Sequence, residues 1–148
     1  MLKTLLTVQL ALTGYLAGLI CVIQWVHYPL ARHIDPIQWP AYQAAHMNRM
    51  FLLVGPAMVA ELLLAGVLLS MDGTRSWAWA NAACVAVVWA VTVLVHAPLH
   101  GQLAAGYDAS LIERMVAWNW PRTVAWLTKL LVATGWLLAQ LRGVQPIS

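Results

Sequence analysis

A chain of 148 residues that is 62% hydrophobic and 9% charged cannot clothe itself like a soluble domain, which carries roughly 25% charged residues. Its net charge of +3 comes from a few residues at loops and ends, so no nucleic-acid partner is expected. No charge falls between Lys3 and Arg32, or between Arg75 and Asp108, and each gap exceeds the ~20 apolar residues that cross a bilayer core. The chain is expected to be a single integral membrane domain, 1–148.

The first span runs from about Thr4 to His27 and is expected to stop at Pro29. It starts after Lys3, but it is long and lacks an A-x-A site, unlike a cleaved signal peptide. Gln9, Thr13, Gln24 and His27 fall on one arc of this helix, and a polar stripe on an apolar helix should face protein. A loop with Asp35-Pro36 leads to Trp39-Pro40, where proline suits a first helical turn. The second helix passes interfacial Tyr42, His46, Asn48 and Arg49, then enters the membrane from Met50 to about Met71, with a kink expected at Pro56.

Asp72-Gly73-Thr74-Arg75 forms a tight turn. The third span covers about Trp77 to Val95, with Asn81, Thr92 and His96 on one arc. Gly101–Asn119 is a polar excursion expected to hold one short helix, opened by Ser110 and Glu113 as a capping box. The fourth span begins at Asn119-Trp120-Pro121 and ends near Leu141, before Gly143. Arg122, Lys129 and Gln140 share one of its faces. Cys21 and Cys84 lie about 9 Å apart in depth at the helical rise, so free thiols are expected.

Two stretches of this chain say the same thing. His27-Tyr28-Pro29-Leu30 closes the first run, and His96-Ala97-Pro98-Leu99 closes the third. Self-similarity at a fixed offset points to a duplicated unit, here two helical hairpins at about 1–71 and 76–143. The expected fold is therefore all-α: a polytopic four-helix transmembrane bundle of two repeated hairpins, with short interfacial helices on one side. Two crossings per hairpin would bring His27 and His96 to the same membrane face. Trp25, Trp39, Trp118 and Trp120 gather at that face, with Trp77 and Trp79 at the other, as interfacial belts do.

All five histidines belong to the first of these faces. Imidazole ligates transition metals and carries protons near neutral pH, so His27, His46, His96 and His100 are candidate metal ligands, and His27 with His96 a candidate haem pair. His96 and His100 have i, i+4 spacing, although Pro98 between them threatens the helix. His33 has no counterpart in the second repeat and ranks last. The competing reading is that these histidines cap helices, hydrogen-bond or line a pocket without metal.

Glu61 lies about 18 Å along its helix from Arg49, and Lys129 about 10 Å along from Arg122. A charge within the hydrocarbon costs at least ~2.5–3.5 kcal/mol, so the two are expected to pair. Glu61, with His46, is also the candidate for moving protons. Arg49, Arg122 and Asn119, near helix starts, are candidates to clamp a carboxylate, phenolate or lipid phosphate; interfacial anchoring explains them as well. No Gly-rich phosphate loop, C-x-x-C, H-E-x-x-H or serine elbow occurs, which disfavours the common hydrolases and nucleotide enzymes.

The succession His27-Tyr28-Pro29-Leu30, Pro40-Ala41-Tyr42 with His46 and Arg49, Val54-Gly55-Pro56 and Glu61, followed by His96-Ala97-Pro98-Leu99-His100 and Asn119-Trp120-Pro121-Arg122-Thr123, resembles a bacterial family of small four-span membrane proteins. That group is more distantly similar to the anthrone-oxygenase-like membrane proteins, whose fungal members oxidise phenolic anthrones with molecular oxygen. The resemblance covers nearly the whole chain. It implies four helices in a bacterial inner membrane and oxidation of a hydrophobic aromatic or quinone-like substrate, and assigns no catalytic residue. The alternative is a non-enzymatic binder, carrier or assembly subunit for a lipid, metal or small molecule, with a homo-oligomer as a further option. The positive charges divide nearly evenly between the two faces, and cytoplasmic termini are expected because Arg49 and Arg122 sit at or inside the membrane boundary rather than in loops.

Overall fold

A computed structural model describes residues 1–73 and 75–143. It is an all-α bundle of four long apolar helices: α1 (Leu2–Ala31), α2 (Trp39–Asp72), α3 (Ser76–Leu103) and α4 (Ala109–Arg142). Each is long and apolar enough to cross a membrane. Each helix packs on its neighbours in sequence, and α4 also closes against α1. The broad contacts of α4 are with α1 and α3, whereas α2 is held more lightly from both sides.

The helices run further than proline placement predicts. α1 does not stop at Pro29, nor α3 near Val95. Both pass through their prolines by way of a π-helical turn, at Ile23–His27 and at Thr92–His96. A proline lacks an N–H and its ring strikes the carbonyl four residues back. Widening the preceding turn removes that clash, and the Tyr28 and Ala97 N–H groups reach back five residues, to Ile23 and Thr92. Such one-turn bulges often occur at functional sites. Here each ends on its histidine.

Pro56 and Pro121 likewise lie inside unbroken helices. α4 starts at Ala109, ten residues before the expected Asn119. The helix expected in the polar excursion is thus the first turns of α4, which bury Ile112 and Met115. At 34 residues each, α2 and α4 measure about 51 Å, well beyond a ~30 Å hydrocarbon core. Their N-terminal turns form a layer at the histidine end. Trp39 closes it, fully buried, with its indole N–H donating to the Leu103 carbonyl at 2.8 Å. Tyr107 donates to the Arg32 carbonyl, and Arg32 pairs with Glu113 at 2.9 Å.

That pairing removes Glu113 from the expected capping box. The cap is Asp108, whose Oδ1 accepts from the Ser110 and Leu111 N–H groups and from the Ser110 hydroxyl. The Ser110 hydroxyl, then these N–H groups, hold the Asp108 carboxyl below its usual range. A depressed carboxylate stabilises the fold above its unfolded pKa, and that contribution disappears as pH falls through the folded value. Protection of the Ser110 and Leu111 amides against exchange, taken relative to their intrinsic rates, should therefore fall on acidification. Asp108→Asn, whose side-chain oxygen still accepts, should flatten that pH dependence.

Cys21 and Cys84 are free thiols. The Asp72 carboxylate meets Arg75 at 3.0 Å in the expected tight turn, and Gly143 ends α4 with φ 70°.

Candidate functional site

The polar stripes face inward. Gln9, Thr13 and Gln24 on α1, Glu61 on α2, Asn81 and His96 on α3, and Asn119, Arg122, Thr123 and Lys129 on α4 are all buried. Unpaired polar groups are expensive in such surroundings, so their partners decide what each can do.

The deepest group is saturated. Lys129 Nζ donates to Glu61 Oε1 and to Thr13 Oγ1, each at 2.7 Å. Thr13 donates to Glu61 Oε1 at 3.0 Å, and the Trp126 indole to Glu61 Oε2 at 3.1 Å. Both charges are essentially unexposed. The expected ion pair forms, across the bundle diagonal from α2 to α4. Glu61 is not among the residues lining the cavity described below, and its carboxylate serves the lock between helices. Above it, Gln24 Oε1 accepts from Asn119 Nδ2 at 2.8 Å and from Thr123 at 3.4 Å. Asn119 is thereby tied to α1, away from any clamp.

Four of the five histidines gather at the mouth of the bundle. His27 Nε2 and His46 Nδ1 lie 2.8 Å apart, sharing one proton between two imidazoles. Tyr42 OH reaches the same His27 nitrogen at 3.3 Å. His100 meets Tyr28 OH at 3.4 Å and Gln43 Nε2 at 3.2 Å. His96 and His27 do not stack on each other; each ring instead contacts Tyr28, at 6.1 and 5.9 Å between centroids. His33 is exposed in the connecting loop. Tyr28 is the residue that pattern reasoning missed. Its signal was present: it is the one aromatic that the second copy of the phrase replaces, with Ala97.

Among the described residues no three His, Cys, Asp or Glu side chains stand together as a ligand set, and His27 Nε2 and His46 Nδ1 face one another.

A cavity of about 270 Å³ opens between α2 and α3. Its apolar wall is Ile23, Met47, Met50, Phe51, Val54 and Met58, and its polar end is Tyr28, His46, His96, His100 and Arg122. It shares Phe51, Gly55, Met58 and Thr92 with a larger apolar groove, bordered by Val59, Leu63 and Trp89, on the outer face of the same two helices. Phe51, Val59 and Leu63 are well exposed on that flank, where lipid tails would lie.

At the polar end, hydrogen bonding is incomplete. Neither ring nitrogen of buried His96 has a partner, nor does Arg122 Nε. The Trp118 backbone approaches the His96 ring, but not with the distance and angle of a well-formed hydrogen bond. Arg49 is exposed and borders a groove with His27 and Tyr42 that shares His46 and Met50 with the cavity.

No family model, curated protein or solved structure matches this chain.

Proposed function

We propose that this protein takes a hydrophobic aromatic or quinone-like molecule sideways from the bilayer into the α2–α3 cavity, with its oxygen-bearing end against His96 and Arg122. One observation carries the proposal: His96 and Arg122, which hold three buried nitrogens without partners, border an apolar cavity that shares its wall with a lipid-facing groove. Each buried, unsatisfied polar group costs about 1–3 kcal/mol, and a ligand oxygen is the simplest group to recover it. The wall suits a flat ring, because methionine sulfur and aromatic edges attract one another. His46 borders the cavity and shares a proton with half-buried His27, a two-imidazole step between ligand and membrane face. General acid–base catalysis needs such a group within reach of the substrate.

The oxidative part of the proposal, an oxidoreductase or oxygenase of the inner membrane, rests on the resemblance to the anthrone-oxygenase-like proteins. The competing reading is a carrier or binder that does no chemistry. Duplication of a helical hairpin, with both termini cytoplasmic, belongs to the same proposal, and the paired π-helical turns before Pro29 and Pro98 support it.

The test uses decylubiquinone titrated into protein in lipid nanodiscs, read by tryptophan fluorescence, since Trp89 borders the groove. Saturable quenching is expected. Gly55→Leu, which fills the passage shared by groove and cavity, should weaken it at least about tenfold, or ~1.4 kcal/mol. Quenching that rises linearly with quinone and ignores the substitution would overturn the proposal. Oxygen uptake with the corresponding quinol, lost in His46→Ala, separates enzyme from binder.

A further inference from the structure

Arg122 is 6% exposed and borders the cavity. Every acidic residue of the chain is committed elsewhere. Glu61 is bound to Lys129, Asp72 to Arg75, and Glu113 to Arg32; Asp108 caps α4, and Asp35 is exposed in the first loop, accepting from the Ile37 N–H. These are all five Asp and Glu residues. No carboxylate forms an ion pair with Arg122 among the described residues.

The groups near the guanidinium do not cancel its charge. Its Cζ lies 5.4 Å from the centre of the Trp126 ring, a cation–π contact that spreads the charge without neutralising it. The Tyr28 hydroxyl lies within hydrogen-bonding reach of the guanidinium, and His96 and His100 feel its charge, but a phenol is neutral and an imidazole can only add positive charge. A buried cation with no counter-charge carries a desolvation penalty of several kcal/mol. A planar guanidinium also presents a fork of donors that matches paired oxygens.

We infer that the cavity's ligand is an organic monoanion: an aromatic body bearing an ionised oxygen acid, a phenolate or carboxylate, whose charge completes the pair with Arg122. The inference rests on the pocket proposed above and specifies what that pocket selects. The ligand supplies the negative charge that no described residue does, and His96 contributes a further N–H to the same oxygen.

The probe is 4-nitrophenol, whose ionised form is yellow and whose neutral form is not, added to protein-loaded and empty nanodiscs at a pH where the free probe is half ionised. Lipid alone favours the neutral form. The wild type is expected to hold bound probe as the yellow phenolate, and its neutral methyl ether, 4-nitroanisole, should bind at least tenfold more weakly. Arg122→Gln should abolish both the colour and the preference. Arg122→Lys, which keeps the charge if Arg122→Gln fails to fold, should retain much of the colour. Saturable binding of colourless probe, with ether and phenol bound equally, would overturn the anion inference and leave the pocket standing. No saturable binding of 4-nitrophenol, its ether or decylubiquinone would remove the pocket, and the inference with it.

Discussion

Lys129→Met alone is expected to cost the bundle about 3–5 kcal/mol, because it leaves the Glu61 carboxylate buried without its cation. Glu61 would retain only the Thr13 hydroxyl and the Trp126 indole as donors. Glu61→Leu should cost a similar amount by stranding Lys129, which is fully buried. The double substitution Glu61→Gln/Lys129→Met should lie within about 1–2 kcal/mol of wild type, since replacing both charges removes both desolvation penalties. The glutamine oxygen still accepts from Trp126, and its amide can donate to Thr13. Unfolding in mixed micelles with rising SDS fraction measures this directly. Two single variants that each cost under 1 kcal/mol would show that the pair does not lock α2 to α4.

Trp39→Ala should be nearly as damaging. The Trp39 ring is fully buried, edge-on to Tyr107 at 5.4 Å and tilted against Tyr42 at 5.5 Å, and deleting it opens a large void. Large-to-small changes of this kind cost about 3–5 kcal/mol. Trp39→Phe keeps most of the packing and loses the bond to the Leu103 carbonyl, so about 0.5–1.5 kcal/mol is expected. The contrast separates packing from hydrogen bonding in the layer that covers the histidines, and melting temperature reports both variants. Equal melting temperatures for the two would mean that the indole N–H, rather than the ring, fastens this layer.

The four crossings were legible because nothing but a bilayer tolerates charge-free runs such as the one between Lys3 and Arg32. The Glu61–Lys129 pair was legible for a related reason, since opposite charges trapped at mid-membrane have few other partners. Helix ends were not. A Pro29 or Pro98 reads as a stop, and whether the chain ends the helix or widens one turn depends on packing against α4 that no local pattern encodes. The same difficulty hid the difference between Arg49 and Arg122. Both sit near a helix start beside an asparagine, yet one is exposed and the other buried. Which face of α2 and of α4 meets its neighbours decides this, and no local pattern around either arginine states it. Histidine clustering was half legible: a shared membrane face followed from topology, whereas the His27–His46 contact required the first turns of α2 to lie against the end of α1.

With the lateral entry proposed above, the side groove between α2 and α3 changes what concentration means for this protein. A pocket filled from the flank samples the membrane as its reservoir, so its filling follows mole fraction among the lipids. Each methylene on a guest adds about 0.8 kcal/mol to its partitioning out of water and enriches it in that reservoir before any contact with the cavity. Guests scarce in the aqueous phase can thus be abundant at the doorway, and the pocket needs only modest intrinsic affinity to stay filled.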